Sequence, residues 1–234
     1  MQIRVINPNT TARMTALIDA AARAAAAPGT EITAVNPSFG APSIECHHDD
    51  VWAAAGVAEQ VRLGEADGGV DAYVIACFGD PGLHAARELA RGPVIGIAEA
   101  AFHAASLVAT GFSVVTTLTR TCVIAEHLVL QYGFERRCRG IHGTDLAVLE
   151  LDDPASGAYA RILACAQQAL AHDRSGAIVL GCAGMAELCH RLTAELGVPV
   201  IDGVAAAVKF AEALVALSLR TSKHGDYAWP PAKA

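Results

Sequence analysis

Short runs of consecutive apolar residues alternate along this chain with longer segments in which Ala, Leu and Val recur at helical spacing. The short runs predict strands at residues 3–6, 31–35, 72–76, 94–96, 112–116, 137–141, 177–180 and 200–201. The longer segments predict helices at 11–25, 49–63, 83–90, 99–109, 120–132, 154–172, 186–196 and 204–217. Thr10 is placed to cap the first helix, Pro154 suits a first helical turn, and residues 147–151 read as extended. The run at 72–76 is apolar at every position, as in a parallel strand covered on both faces. Strict alternation of strand and helix predicts parallel sheets wound by helices.

The pattern runs twice. Val74-Ile75-Ala76-Cys77-Phe78-Gly79 reappears as Val179-Leu180-Gly181-Cys182-Ala183-Gly184, and Pro93-Val94-Ile95-Gly96 as Pro199-Val200-Ile201-Asp202. The two cysteines stand 105 positions apart (182 − 77), and the two prolines 106 (199 − 93). Two matches at nearly one offset predict a duplicated α/β unit with a pseudo-twofold axis. The expected fold is therefore α/β, with two pseudo-symmetric doubly wound domains, each a four-stranded parallel sheet, and the active site at their interface. The expected division is 1–97 for the first half, completed by the C-terminal helix 204–220, then 98–203 for the second, with 221–234 as a tail. No Pro/Ser-rich linker separates the halves, so they should share an interface.

The chain has 234 residues, 53% of them hydrophobic and 18% charged, enough to bury a core. A net charge of −7 disfavours nucleic acid. No apolar run is long enough to span a bilayer, and residues 1–6 lead straight into a strand without the features of a signal peptide, so a cytoplasmic location and no membrane partner are expected. Seven cysteines, an odd number, argue against a disulfide framework, and five of them read as small buried apolar residues. Cys46-His47-His48 and Cys189-His190 lack metal-site spacing, and phosphate-binding glycine motifs and Gly-x-Ser-x-Gly are missing.

The other two cysteines carry the chemistry. Cys77 and Cys182 each follow the third strand of their half, where open parallel sheets bind ligands. A pseudo-twofold axis would bring both thiols to one cleft from opposite sides. The following glycines predict nests of backbone N–H groups that lower the thiol pKa and donate to a developing enolate oxygen, with Phe78, Gly79, Ala183 and Gly184 at the substrate. A thiolate on one face and a thiol on the other is what a two-base racemase requires. Asn9 follows the first strand, and Thr116 and Thr117 end its counterpart; the offset of 106 puts Val115 opposite Asn9. These small polar groups are placed to bond a polar ring, and the loop bearing Ser43 and Ile44 to cover the cleft.

These motifs, with Ile6-Asn7-Pro8-Asn9-Thr10, Ser43-Ile44-Glu45, Gly96-Ile97-Ala98-Glu99-Ala100, Phe112-Ser113-Val114-Val115-Thr116-Thr117, Pro199-Val200-Ile201-Asp202-Gly203 and Thr221-Ser222-Lys223, resemble the hydantoin racemase family of the aspartate/glutamate racemase superfamily along nearly the whole chain. The resemblance implies racemisation of 5-substituted hydantoins, a class that includes allantoin, without cofactor or metal. It also implies homo-oligomers, and catalytic roles for Cys77 and Cys182. Alternatives are a relative acting on a diacid (maleate-type isomerase, aspartate or glutamate racemase, arylmalonate-type decarboxylase), or a non-enzymatic thiol redox or binding protein.

Overall fold

A computed structural model describes residues 1–151 and 153–232. The chain opens with β1 (Gln2–Ile6), α1 (Ala12–Ala25), β2 (Glu31–Val35) and α2 (His47–Asp67). It continues with β3 (Ala72–Ile75), α3 (Leu83–Leu89), β4 (Val94–Gly96) and α4 (Ile97–Val108). The series then repeats as β5 (Phe112–Thr116), α5 (Cys122–Gln131), β6 (Cys138–Gly143), α6 (Ala158–Asp173), β7 (Ala177–Leu180), α7 (Cys189–Leu196), β8 (Val200–Ile201) and α8 (Gly203–Ala216).

Among the described residues these strands form two four-stranded parallel sheets, ordered β2-β1-β3-β4 and β6-β5-β7-β8. In each, the chain winds one way from the first strand and the other way from the third, which makes a switch point between those two strands. Strands β3, β5 and β7 are buried at every position, as strands covered on both faces must be.

One core joins the halves. It takes Ile3, Val5 and Val74 from the first sheet, Phe112, Val114 and Val179 from the second, and Phe102, Val204 and Val208 from α4 and α8. Helix α8 packs on β3 and β4 and against α1 and α4, while α4 reaches across to β7. Separate clusters cover the outer faces, under α2 and α3 on one side and under α6 and α7 on the other.

Several elements depart from the sequence pattern. Residues 147–151 are not extended: Val148–Glu150 is a 3-10 turn, closed by the Glu150 carboxylate on the Ala147 N–H (2.7 Å). The helix expected from Pro154 is broken at Gly157, whose φ of 66° ends a 3-10 turn over Pro154–Ser156. Residues 183–188 are a 3-10 turn that precedes α7. Thr10 does not cap α1; the N-cap is Thr11, whose N–H donates to Asn9 Oδ1 (2.9 Å) and whose hydroxyl donates to Pro42 O (2.6 Å). Helix α4 begins at Ile97 rather than Glu99 because its cap arrives from elsewhere in the chain.

Candidate active site

The site grows from the ends of four strands. Past β3 the ladder continues one step, Ala76 N–H to Ile6 O (2.8 Å), and leaves Cys77 at the carboxyl edge. A tight turn follows, with Asp80 N–H on Cys77 O (3.0 Å). Asp80 sits at φ 44°, a left-handed conformation that Asp tolerates better than most residues. Its buried carboxylate accepts the N–H groups of Ala98 (3.0 Å) and Glu99 (2.9 Å) at the start of α4 and the hydroxyl of Tyr132 (2.8 Å) just beyond α5. A Cβ on Gly96 would overlap that carboxylate. In the second half the residue matching Gly96 is Asp202, which caps α8 directly through Val204 N–H (2.9 Å) and Ala205 N–H (3.0 Å). Each inner helix thus has an acidic cap, one local and one delivered by the Cys77 turn. Phe78 secures that turn against Phe102 of α4, with ring centroids 5.6 Å apart and the planes at 82°.

Past β7, Gly181 N–H bonds Val115 O (2.8 Å) and Cys182 stands at the edge. Gly181 is obligatory here: a Cβ would lie 2.5 Å from Thr116 Cβ and 3.0 Å from Thr116 Cα. The Thr116 hydroxyl donates to Gly181 O (2.9 Å), and Thr144 Oγ1 donates to Thr116 O (3.0 Å) and Thr117 O (3.2 Å).

Both edges face one cavity. Cys77 and Cys182 line it, together with Asn9, Ile44, Phe78, Gly79, Thr116, Thr117 and Ala183. Ser43 and Gly184 do not; Gly184 lines a different surface pocket, past Ala183. The offset that pairs Asn9 with Val115 fails, because β1 ends at Ile6 but β5 at Thr116, so Val115 lies inside its strand. Met14, Asp50, Thr121, Ile124 and Val148 also line the cavity, and none was singled out from the sequence. Nothing in the local pattern aims them at the site; Asp50, in the first turn of α2, reads as one of two acids suited to a helix start.

Burial pushes the Cys77 thiol well above its ordinary value, and negative charge on Cys182, Asp50 and Asp80 pushes the same way. The expected lowering does not occur, because the one opposing contact, the Gly79 N–H on the Cys77 sulfur, is outweighed by desolvation. Cys77 is half-buried, its free surface opening into the cavity and the rest enclosed by protein.

The other polar groups are mostly committed. Asn9 Oδ1 accepts from Asn7 Nδ2 (2.9 Å) as well as from Thr11 N–H. The Thr121 hydroxyl donates to Leu118 O (2.7 Å). Among the described residues, the Thr117 hydroxyl and the Asp50 carboxylate make no hydrogen bond within the protein, and no Lys, Arg or His lines the cavity. No cluster of three His, Cys, Asp or Glu side chains suited to a metal occurs among the described residues. No helix is long and apolar enough to cross a membrane among them.

The sequence pattern of the Asp/Glu/Hydantoin racemase family matches residues 3–211. A hydantoin racemase of Rhizobium meliloti is 50% identical over 234 residues, covering 100% of this chain and 97% of that protein. The solved structure of an allantoin racemase from Klebsiella pneumoniae superposes with a TM-score of 0.98 at 62% identity, covering 100% of this chain and 95% of that one. An allantoin racemase from Pseudomonas fluorescens superposes with a TM-score of 0.96 at 41% identity, covering 100% and 99%. A doubled parallel-sheet unit, a cavity between the two strand edges and full-length likeness to these proteins lead to one conclusion: the chain belongs to the Asp/Glu/hydantoin racemase family.

Proposed function

We propose that this protein is a cofactor-independent, two-cysteine racemase of 5-substituted hydantoins, with allantoin among its substrates. The observation that carries the reading is the placement of Cys77 and Cys182 at the switch points of two pseudo-equivalent sheets, lining one cavity. The ring lies between the sulfurs. One thiolate removes the C5 proton, the ring carbonyl takes up the charge as an enolate, and the facing thiol returns a proton to the opposite face of C5. The roles exchange in the reverse direction. Negative charge on Cys182 disfavours charge on Cys77, so the pair holds one proton more readily than none. In the resting site burial and the charge of its neighbours favour the protonated form of Cys77. The uncommitted Thr117 hydroxyl is a donor for a ring carbonyl. Residues 1–97 with 204–220, and residues 98–203, are the two units that close on the substrate.

A cavity lined by no Lys, Arg or His among the described residues suits a neutral ring and offers nothing to grip a diacid. The test is incubation with L-5-benzylhydantoin, and separately with single-enantiomer allantoin, in D₂O. Loss of optical rotation with deuterium at C5, both faster than the blank, is expected. No change with either substrate overturns the reading.

A further inference from the structure

Two acids stand side by side in the first turn of α2, and the structure uses them differently. Asp49 accepts the Glu45 N–H (3.0 Å), and that bond holds its carboxyl below the ordinary value. It does the work expected of an acid at a helix start. Asp50 is turned the other way, into the cavity. Its Oδ1 lies 3.5 Å from where a Cβ on Gly79 would be, two residues beyond Cys77, and Ile124 Cγ2 lies 3.6 Å from the same point. Among the described residues its carboxylate has no hydrogen-bond donor in the protein, and it is the one acidic side chain lining the cavity. Burial raises its pKa, against the pull of nearby His47, as expected for an acid short of partners.

A carboxylate in a half-enclosed site calls for a donor from the ligand. The strand-end groups Asn9, Thr116, Thr117 and the two thiols surround the place where the ring must lie. Asp50, Ile44, Ile124 and Thr121 come from segments other than those strand ends and line the remaining wall of the cavity. We propose that Asp50 is a specificity-determining residue. Its carboxylate accepts N–H groups from a donor-bearing 5-substituent, such as the ureido group of allantoin, and repels anionic substituents. Gly79 leaves the space through which the substituent reaches it.

This rests on the racemase reading and is tested so that the two fail separately. Racemisation of allantoin, 5-benzylhydantoin and 5-carboxymethylhydantoin is compared in the wild-type protein and in Asp50→Asn. The expected result is a drop of about ten-fold in the ratio of kcat/KM for allantoin to that for 5-benzylhydantoin, because the substituent's N–H groups then meet a neutral acceptor in place of a charged one. The carboxymethyl substrate should gain on the benzyl one by a similar factor. Ratios within two-fold of wild type in a folded variant overturn the proposal. If Asp50→Asn does not fold, the wild-type protein decides alone: 5-carboxymethylhydantoin should be its poorest substrate of the three, and equal or better turnover of it than of allantoin overturns the proposal. Failure of the wild-type protein on all three defeats the racemase reading itself.

Discussion

Asp80→Ala tests whether the Cys77 turn is held by the tertiary cap on α4. The change removes the acceptor of three buried donors, the N–H groups of Ala98 and Glu99 and the hydroxyl of Tyr132. A buried donor left without a partner costs about 1–3 kcal/mol. Alanine at φ 44° adds roughly 1 kcal/mol of backbone strain. Release of the buried carboxylate from its desolvated position offsets part of this, so a net loss of about 3–4 kcal/mol is expected. For a chain of this length each kcal/mol moves Tm by roughly 2–4 °C, so the melting temperature should fall by about 6–16 °C. Asp80→Gly relieves the strain but not the lost bonds and should recover only about 1 kcal/mol. The assay is thermal melting followed by circular dichroism, with racemisation measured on the folded fraction, where kcat should fall as Cys77 loses its position. A Tm within 2 °C of wild type for Asp80→Ala would refute the cap.

The pH dependence of the same group gives a sign as well as a size. Burial raises Asp80 to about 7 in spite of its three donors. Between the ordinary carboxylate pKa of about 3.9 and that value the folded protein binds a proton that the unfolded chain does not, so this group's contribution to stability falls as pH rises across the window. The stability of wild type relative to Asp80→Asn should therefore decline from pH 5 to pH 8; an increase contradicts the assignment.

Further outcomes follow from other parts of the site. Gly181→Ala forces β5 and β7 apart at Thr116 and should cost about 1–3 kcal/mol in urea unfolding, together with racemase activity. Because the Cys77 thiol is raised, it stays protonated further up the pH scale. Iodoacetamide should therefore label it more slowly at every pH from 7 to 9 than an ordinary cysteine, which ionises near ~8.5, as read by peptide mass spectrometry. Faster labelling at pH 7 would reverse the resting protonation assigned here.

The sheets and the two cysteines were legible in the sequence because each rests on local pattern. Buried parallel strands are apolar throughout, and a duplicated strand-cysteine-glycine motif marks the same edge twice. What the sequence concealed depends on contacts between distant segments. The cap of α4 comes from Asp80, 18 positions earlier, so the helix begins before any local signal for it. Asp50 and Ile124 reach the cavity from opposite halves, and neither position differs in type from a helix-start acid or a core isoleucine. The expected lowering of the Cys77 thiol followed from glycines and a turn, but enclosure of the sulfur outweighs the single N–H it receives. The Thr10 cap failed because Asn9 and the loop at Pro42 already hold the start of α1.

The central claim is that the two thiols work from opposite faces of one carbon. The direct measurement is deuterium incorporation and racemisation of each hydantoin enantiomer separately, in D₂O, by Cys77→Ser and Cys182→Ser. Loss of one of the two proton-transfer groups should cost about 10²–10⁴-fold in racemisation for either variant. Residual C5 exchange should favour one enantiomer in Cys77→Ser and the other in Cys182→Ser. Racemisation within ten-fold of wild type in either variant, or exchange of the same enantiomer by both, would contradict the two-cysteine account.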